Sequence, residues 1–233
     1  MLWLSGSNPA PPSRWPIGEA GMPDDGNNGF NSDVAFTGSV KRAQAARGSR
    51  EMFQKRVERT DWPDKISNDF AGFIAERDSF YLATASADGQ PYIQHRGGPA
   101  GFLKVLDEKT LGFADYAGNR QYVSVDNISE NDRAHIFLMD YMHQKRVKVW
   151  GRLREIEGND ELTAKLIPPG YQARPERVFL FTVTAWDVNC PQHIPRKFDM
   201  ALVKYQFDKM EAEIAALKAE VARLKVRAEE AAD

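Results

Sequence analysis

The chain has 233 residues, of which 42% are hydrophobic and 27% charged, and its formal net charge is −2. This length and composition are typical of a globular protein with one ordinary domain plus appendages. The small charge excludes the strong global field that attracts nucleic acid or anionic membranes. A single cysteine, Cys190, excludes an intramolecular disulfide and a thiolate metal cluster, and the four histidines show no i, i+4 ligand pair, so we expect no metal site.

The first 31 residues carry five prolines and five glycines and show little apolar periodicity. We predict a flexible arm here, in which Trp3 and Trp15 are available to dock on a partner subunit. The arm has no basic start followed by an apolar block, which is the pattern of a signal peptide. The longest apolar runs of the chain are also too short to span a membrane. We therefore expect a cytoplasmic protein.

Three helices are predicted after the arm. Ser32 is expected to cap a helical stretch that extends to about residue 50, a second helix covers 51–60, and a third begins near 64 and ends near 76.

The period of the apolar residues then changes to that of strands. The turn sequence at 87–90 separates the first two of them, and residues 122–128 form a short inserted helix. The predicted strands are 80–85, 91–95, 110–115, 133–140, 145–157 and 178–188. Six antiparallel strands with helices predict an α+β fold that is mainly β, with a small barrel at its centre.

Residues 203–228 contain a heptad repeat. Its first row of apolar positions is Phe207, Ile214, Val221 and Ala228, and its second row is Val203, Met210, Leu217 and Leu224. β-Branched residues at the first position with leucine at the second favour a two-stranded parallel coiled coil. The alternative is a helix that packs on its own barrel. We predict three regions: a flexible arm (1–31), a barrel domain with N-terminal helices (32–200) and a coiled-coil helix (201–233).

Two segments carry residues suited to binding a ligand. Residues 94–98 end a strand with polar side chains and glycines, which often mark a bulge or the close approach of a ligand. An ordinary bulge with a solvated Arg96 is the alternative. At 118–120 a Gly-Asn-Arg corner opens a helix, and exposed amides beside a guanidinium at such a corner can hold an anion.

These segments, together with 186–196, resemble the pyridoxamine 5′-phosphate oxidase-like family of FMN-binding split barrels. The resemblance extends over about 32–198 and implies a six-stranded antiparallel split barrel. It implies that 94–98 lies along the flavin, with Arg96 on the phosphate or near the ring, and that Arg120 holds the phosphate. Gln121 stands where the family has a second basic residue.

The resemblance also places residues from later strands at the flavin. Arg146 aligns with a position that touches the pyrimidine edge of the ring. Trp186 and Arg196 reproduce a Trp-to-Arg spacing of ten residues, whose members contact the flavin of the other subunit. The family's substrate clamp is replaced by Gln192 and Ile194, so we do not expect a true pyridoxamine phosphate oxidase.

The cofactor-binding residues predicted in this way number twelve. They are Gln94, His95, Arg96, Gly97, Gly98, Asp115, Asn119, Arg120, Gln121, Arg146, Trp186 and Arg196.

The function expected from the resemblance is that of an FMN-dependent oxidoreductase. The flavin would lie at the interface of a homodimer. The substrate would be a small organic molecule, and a reduced nicotinamide is a candidate electron donor. No nucleic acid or membrane partner is expected. One alternative is a non-catalytic protein of the same fold that binds flavin, haem or another tetrapyrrole. In a second alternative the coiled coil is the functional part and the barrel only supports it.

Overall fold

The computed structural model describes residues 29–231, so the predicted arm lies almost entirely outside the described residues. A 3₁₀ helix occupies Asn31–Val34. The α-helices are α1 (Gly38–Ala46), α2 (Arg50–Arg59), α3 (Asn68–Ala75), α4 (Val123–Glu130), α5 (Asp160–Leu166) and α6 (Met200–Glu230). The strands are β1 (Ser79–Ala85), β2 (Pro91–Gly97), β3 (Lys104–Val105), β4 (Thr110–Tyr116), β5 (Arg133–Asp140), β6 (Lys145–Ile156) and β7 (Pro175–Val188).

The chain forms two compact units, one through Asp61 and one from Trp62 onward. The first unit contains the 3₁₀ helix, α1 and α2. The prediction that Ser32 caps a long helix was wrong, since α1 begins six residues later and is capped by Thr37, whose side chain accepts a hydrogen bond from the Val40 amide at 3.4 Å. Ser32 is instead buried inside the 3₁₀ turn.

The second unit is built on one antiparallel sheet with the strand order β2-β1-β5-β6-β7-β4-β3. All six predicted strands are present, and the α+β split-barrel architecture with its N-terminal helices and long C-terminal helix is confirmed. Two elements were missed. Strand β3 has only two residues, too few to show a period, and α5 has only seven.

Aromatic side chains fill the centre of the second unit. Phe80, Phe113, Phe179 and Phe181 are fully buried, and the Phe80 and Phe113 rings meet edge to face with centroids 5.2 Å apart. Each such ring buries roughly 150–250 Å² of largely apolar surface, so these four contribute strongly to the hydrophobic stabilisation of the barrel. The interior of the barrel is therefore packed with side chains and leaves no room for a ligand.

Strand β6 bends at Gly151, where its pairing with β7 shifts register between Trp150 and Gly151. A side chain at this glycine would overlap the Thr182 carbonyl oxygen and the ring of Phe181. Because both belong to the adjacent strand and the core, neither can move without disturbing the barrel.

We therefore expect Gly151→Ala to destabilise the protein by about 2 kcal/mol or more, the cost typical of overpacking. The matched control is Gly72→Ala in α3, where an added methyl group would have open space around it. Since alanine is the better helix former, that variant should gain about 0.5–1 kcal/mol. Chemical denaturation measures both, and a Gly151→Ala variant as stable as the parent would contradict the close contact.

A cluster of aromatic and charged residues covers β5 and β6 on the face away from the core. The rings of Trp62 and Trp150 stack with centroids 4.9 Å apart, and His135 meets Trp150 edge-on at 4.8 Å. The Lys148 ammonium lies within 5.6 Å of both indole rings and 3.2 Å from the Asp187 carboxylate. Burial, reinforced by the charge of Lys148, lowers the pKa of His135 to about 4.

This shift predicts a loss of stability in acid. The pKa of a histidine in an unfolded chain is near 6.5. Between pH 6.5 and 4, His135 therefore binds a proton in the unfolded chain but stays neutral in the folded protein. The contribution of His135 to the free energy of unfolding should therefore be fully present above pH 6.5. The free energy of unfolding should fall by about 3 kcal/mol as the pH drops to 4.

The variant His135→Phe keeps an aromatic ring beside Trp150 but cannot titrate. Denaturation across this pH range gives the free energy of unfolding of the parent minus that of the variant. This difference should fall by about 3 kcal/mol from pH 6.5 to 4, because only the parent carries the titrating histidine. A difference that stays constant from pH 7 to 4 would show that His135 titrates normally in the folded protein.

Candidate functional site

A cavity of about 270 Å³ lies where β2, β4, the 117–122 loop and the start of α4 converge. Most of its lining residues are polar, and one comes from the start of β7. They are Tyr92, Gln94, Arg96, Asp115, Tyr116, Gly118, Asn119, Arg120, Gln121, Tyr122, Val123, Ser124, Val125 and Glu176.

The pleat of β2 decides which of its side chains reach the cavity. Alternate residues of this strand are partly covered, and Tyr92, Gln94 and Arg96 form that covered row and line the cavity. His95 belongs to the opposite, exposed row and meets the ring of Tyr81 edge-on at 5.6 Å. Because successive strand residues point to opposite faces, a continuous run such as 94–98 cannot all face one ligand.

Acidic side chains hold the guanidinium group of Arg96 in place at the cavity. It forms an ion pair with Asp115 of β4, and both side chains are mostly buried. Arg177 of β7 lies on the far side of that carboxylate, with Nε 3.9 Å from Asp115 and 3.2 Å from Glu155. Burial raises the pKa of the Glu155 carboxyl, an effect that the charge of Arg177 opposes. Arg96 is thus fixed in place by a chain of alternating charges.

The loop that closes the cavity has an unusual backbone. Arg120 and Tyr122 both have left-handed conformations, with φ values of 58° and 52°, although neither is glycine. Such residues cost about 1–3 kcal/mol each and cluster at ligand sites. Here the left-handed Tyr122 is the residue from which α4 starts, and it provides no side-chain cap.

The open N-terminus of α4 faces the cavity, since Val123, Ser124 and Val125 all line it. The first amides of a helix lack partners within the helix and carry a partial positive charge. Two contacts hold α4 in this position: the buried Asn127 amide donates to Thr84 of β1 at 2.9 Å, and the Ser124 hydroxyl donates to Gln94 of β2 at 3.3 Å. These two hydrogen bonds fix the start of α4 at the cavity, and a helix N-terminus held in this way is suited to an anion.

Two polar atoms at the cavity are buried without a hydrogen-bond partner among the described residues: the Tyr116 hydroxyl and Nε of Arg96. Burial, with a smaller contribution from Tyr171, raises the pKa of Tyr116, so its hydroxyl is a neutral donor. Buried polar groups are rarely left unpaired, and each one marks a place where a ligand can form a hydrogen bond.

Two of the predicted residues lie together at a second place. Gln144, in the turn between β5 and β6, accepts a hydrogen bond from Arg196 Nε at 3.2 Å and donates one to the Ile194 carbonyl at 2.7 Å. The carbonyl of Arg146 accepts from the Asn189 amide at 3.1 Å, which ties the same turn to the chain after β7. We call Gln144, Arg146 and Arg196 the arginine turn.

Trp186 is used in packing. Its ring stacks on Phe70 of α3 with centroids 4.4 Å apart, and its indole N–H donates to the Lys65 carbonyl at 2.9 Å. The structure therefore does not bring Trp186 to the cavity formed by its own chain.

The cavity brings together six of the twelve predicted residues. They are Gln94, Arg96, Asp115, Asn119, Arg120 and Gln121.

The other six predicted residues lie elsewhere. His95 and Gly97 are in the exposed row of β2, while Gly98 allows Phe102 to pack against its backbone. Arg146 and Arg196 belong to the arginine turn, and Trp186 to the core.

Sequence reasoning missed several lining residues. Alternation along β2 from Gln94 indicates Tyr92, so that signal was present. Tyr116 lines the cavity beside its neighbour Asp115 because the pairing of β4 with β7 shifts register between these two residues, which the sequence does not show. No sequence signal indicates Glu176. It lies about sixty residues after Asp115 and reaches the cavity only through the pairing of β4 with β7.

Neither a metal centre nor a membrane segment emerges from residues 29–231. In that range no three histidine, cysteine or acidic side chains are grouped to hold a metal ion. No helix in the same range combines the length and the apolar character that crossing a membrane requires.

Solved structures that resemble this one come from several bacteria. HupZ of Group A Streptococcus is 20% identical, with 57% of this chain and 99% of that chain covered and a TM-score of 0.44. An FMN-binding protein of Syntrophomonas wolfei is 12% identical (63% and 97% covered, TM-score 0.42). HutZ of Vibrio cholerae, a haem storage protein, is 16% identical (53% and 94% covered, TM-score 0.39).

A search of curated proteins found no match. A family model described as pyridoxamine 5′-phosphate oxidase matches residues 66–190, which is more than half of the chain. That stretch contains all seven strands, α4 and every residue that lines the cavity. The chain therefore belongs to the pyridoxamine 5′-phosphate oxidase family.

Proposed function

We propose that the protein is a cytoplasmic FMN-binding oxidoreductase that acts as a homodimer on a small organic substrate, with a reduced nicotinamide as electron donor. The observation that carries the proposal is the open N-terminus of α4, which faces a cavity lined by Arg96 and Arg120. Helix amides and guanidinium groups are the donors that proteins use for phosphate esters, and FMN ends in one.

The donor set fits FMN in number and kind. Arg120, Gln121 and the first amides of α4 would hold the phosphate, while Gln94 and the neutral Tyr116 hydroxyl are available for the ribityl chain or ring. The unpaired Tyr116 hydroxyl and Arg96 Nε would both gain partners. When bound, flavin supplies the redox chemistry, and these residues bind it, orient it and exclude water.

A second copy of the chain would complete the site. Arg146 and Arg196 lie in the arginine turn and so outside the cavity of their own chain, although the family resemblance assigns both to the flavin. We therefore propose a two-fold dimer in which the arginine turn of one chain lies at the cavity of the other. There the guanidinium groups would favour negative charge on the ring.

A haem-binding or carrier function is the second candidate, and the polar lining of the cavity argues against its haem form. A macrocycle needs a large apolar slot, whereas Arg96, Asp115, Arg120 and Glu176 all line this cavity. A flavin carrier without turnover has the same binding site and differs only in kinetics.

The absorption spectrum of the purified protein, before and after addition of FMN, tests the cofactor. We expect the two bands of flavin and uptake of one FMN per chain by protein stripped of ligand. A sharp Soret band would instead indicate a tetrapyrrole. Oxidation of NADH or NADPH by the FMN-loaded protein then separates an oxidoreductase from a carrier, which would show almost none.

Replacing the phosphate-binding arginine should weaken FMN binding. We expect Arg120→Ala to cost about 1.5–3 kcal/mol, or about 10- to 150-fold in Kd, because a charge-assisted hydrogen bond is lost. The control is Arg133→Ala, an exposed cation on β5 outside the cavity, which should bind as the parent does. Fluorescence titration of FMN measures both, and equal Kd values for the two variants would remove Arg120 from the site.

Replacing the carboxylate that holds Arg96 should have the opposite effect on binding. In Asp115→Asn the mostly buried Arg96 loses its counter-charge, so the ligand-free protein should be less stable by roughly 3 kcal/mol. The cavity also gains a net positive charge, which should favour FMN by about 1 kcal/mol, or roughly fivefold in Kd.

Asp132→Asn is the matched control, since Asp132 pairs with Arg152 in a far more exposed ion pair outside this cavity. That variant should change stability by less than about 1 kcal/mol. Thermal unfolding with and without FMN reports both quantities. Weaker FMN binding by Asp115→Asn would show that the ion pair holds Arg96 in its binding position, contrary to this prediction.

A further inference from the structure

The helix α6 presents a continuous apolar stripe that no other residue of 29–231 covers. None of its 31 residues is buried. Six consecutive positions of the heptad are between 48% and 60% exposed, namely Phe207, Met210, Ile214, Leu217, Val221 and Leu224. Apolar stripes of this length on soluble proteins mark interfaces.

We infer that α6 pairs with α6 of a second copy of this chain in a parallel, in-register coiled coil, through a surface separate from the cavity. The surface consists of the heptad rows that start at Val203 and Phe207, which we call the seam. The inference concerns helix pairing alone, and its test needs no bound flavin.

The first turns of α6 already form a hole of the kind that a coiled coil fills. An apolar cavity of about 270 Å³ is lined by Phe198, Leu202, Val203, Gln206, Phe207 and Met210. In a parallel coil, the side chain at the first heptad position enters a hole made by four residues of the facing helix. For Phe207 of the second copy those four are Val203, Gln206, Phe207 and Met210, and all of them line this cavity.

The charges beside the seam select the parallel orientation. In a parallel pair, Glu213 of one helix faces Lys218 of the other, and Glu220 faces Lys225. In a fully overlapped antiparallel pair, positions of the same kind meet. Glu213 would then face Glu220 and Lys204 would face Lys225, with one opposing attraction between Glu211 and Lys218. Ile214 and Val221 at the first position, with Leu217 and Leu224 at the second, favour two strands over three or four.

The seam is also long enough to be stable. α6 spans Met200–Glu230, which holds four heptads, and Asp199 caps its first turn by accepting from the Ala201 amide at 2.6 Å. A helix with neither a buried face nor a partner would depend on propensity alone. A second copy supplies the missing burial with the same six side chains.

Disulfide trapping in the full-length chain tests the pairing. In a Cys190→Ser background, Val221→Cys places one thiol at the centre of the seam, where two parallel in-register helices bring their copies together. Ala219→Cys places it on the outer side of the same helix and is the matched control. With oxidised glutathione as oxidant, we expect the Val221→Cys chains to form covalent dimers at least about tenfold faster, because the coil raises the effective thiol concentration.

Charge variants in the Val221→Cys background test the orientation. Glu213→Lys with Glu220→Lys should slow cross-linking, since lysine would then face lysine. Mixing that chain with one carrying Lys218→Glu and Lys225→Glu should restore the rate and yield mainly mixed dimers. Equal rates for Val221→Cys and Ala219→Cys would overturn the pairing, and a fast rate that ignores these charges would overturn the parallel arrangement.

Discussion

The open N-terminus of α4 is the constraint on which the candidate site depends. A helix that begins at a left-handed tyrosine, without a side-chain cap, leaves its first amides to be satisfied from outside. The chain could relieve this with an ordinary serine or aspartate cap, but it keeps two left-handed residues instead, and it fixes the helix to β1 and β2 by the Asn127 and Ser124 hydrogen bonds. The strain and the missing cap become advantageous together once an anion is bound.

The remainder of the site follows from how strands present side chains. Arg96 reaches the cavity because β2 alternates, and it stays there because β4 places Asp115 beneath it. Arg177, delivered by β7, supports that carboxylate from behind. Strands β2 and β4, together with the distant β7, thus determine the position of one guanidinium group, and the packed aromatic core holds those strands in register.

Much of this arrangement could be predicted from the sequence, and the failures have physical causes. The strands were visible from runs of β-branched and aromatic residues and from the hairpin turn at 87–90, whereas β3 and α5 are too short to show a period. Local segments led to Gln94, Asp115 and Arg120 because each lies at the end of a strand or the start of a helix. The grouping of His95 with Arg96 ignored the pleat. The positions of Glu176 and Trp186 depend on tertiary pairing, which one sequence does not reveal.

The balance of charge in the cavity has a consequence for how a ligand arrives. Its two cations, Arg96 and Arg120, are matched by the carboxylates Asp115 and Glu176, and glutamine stands at 121 where a second basic residue is expected. At distances beyond a Debye length such a set is nearly neutral, so it provides little steering of an anion through solution. In the proposed dimer, electrostatic steering of the ligand would therefore come from Arg146 and Arg196 of the second copy. The lining of the chain's own cavity would discriminate between ligands after contact, through hydrogen bonds that a wrongly shaped anion cannot form.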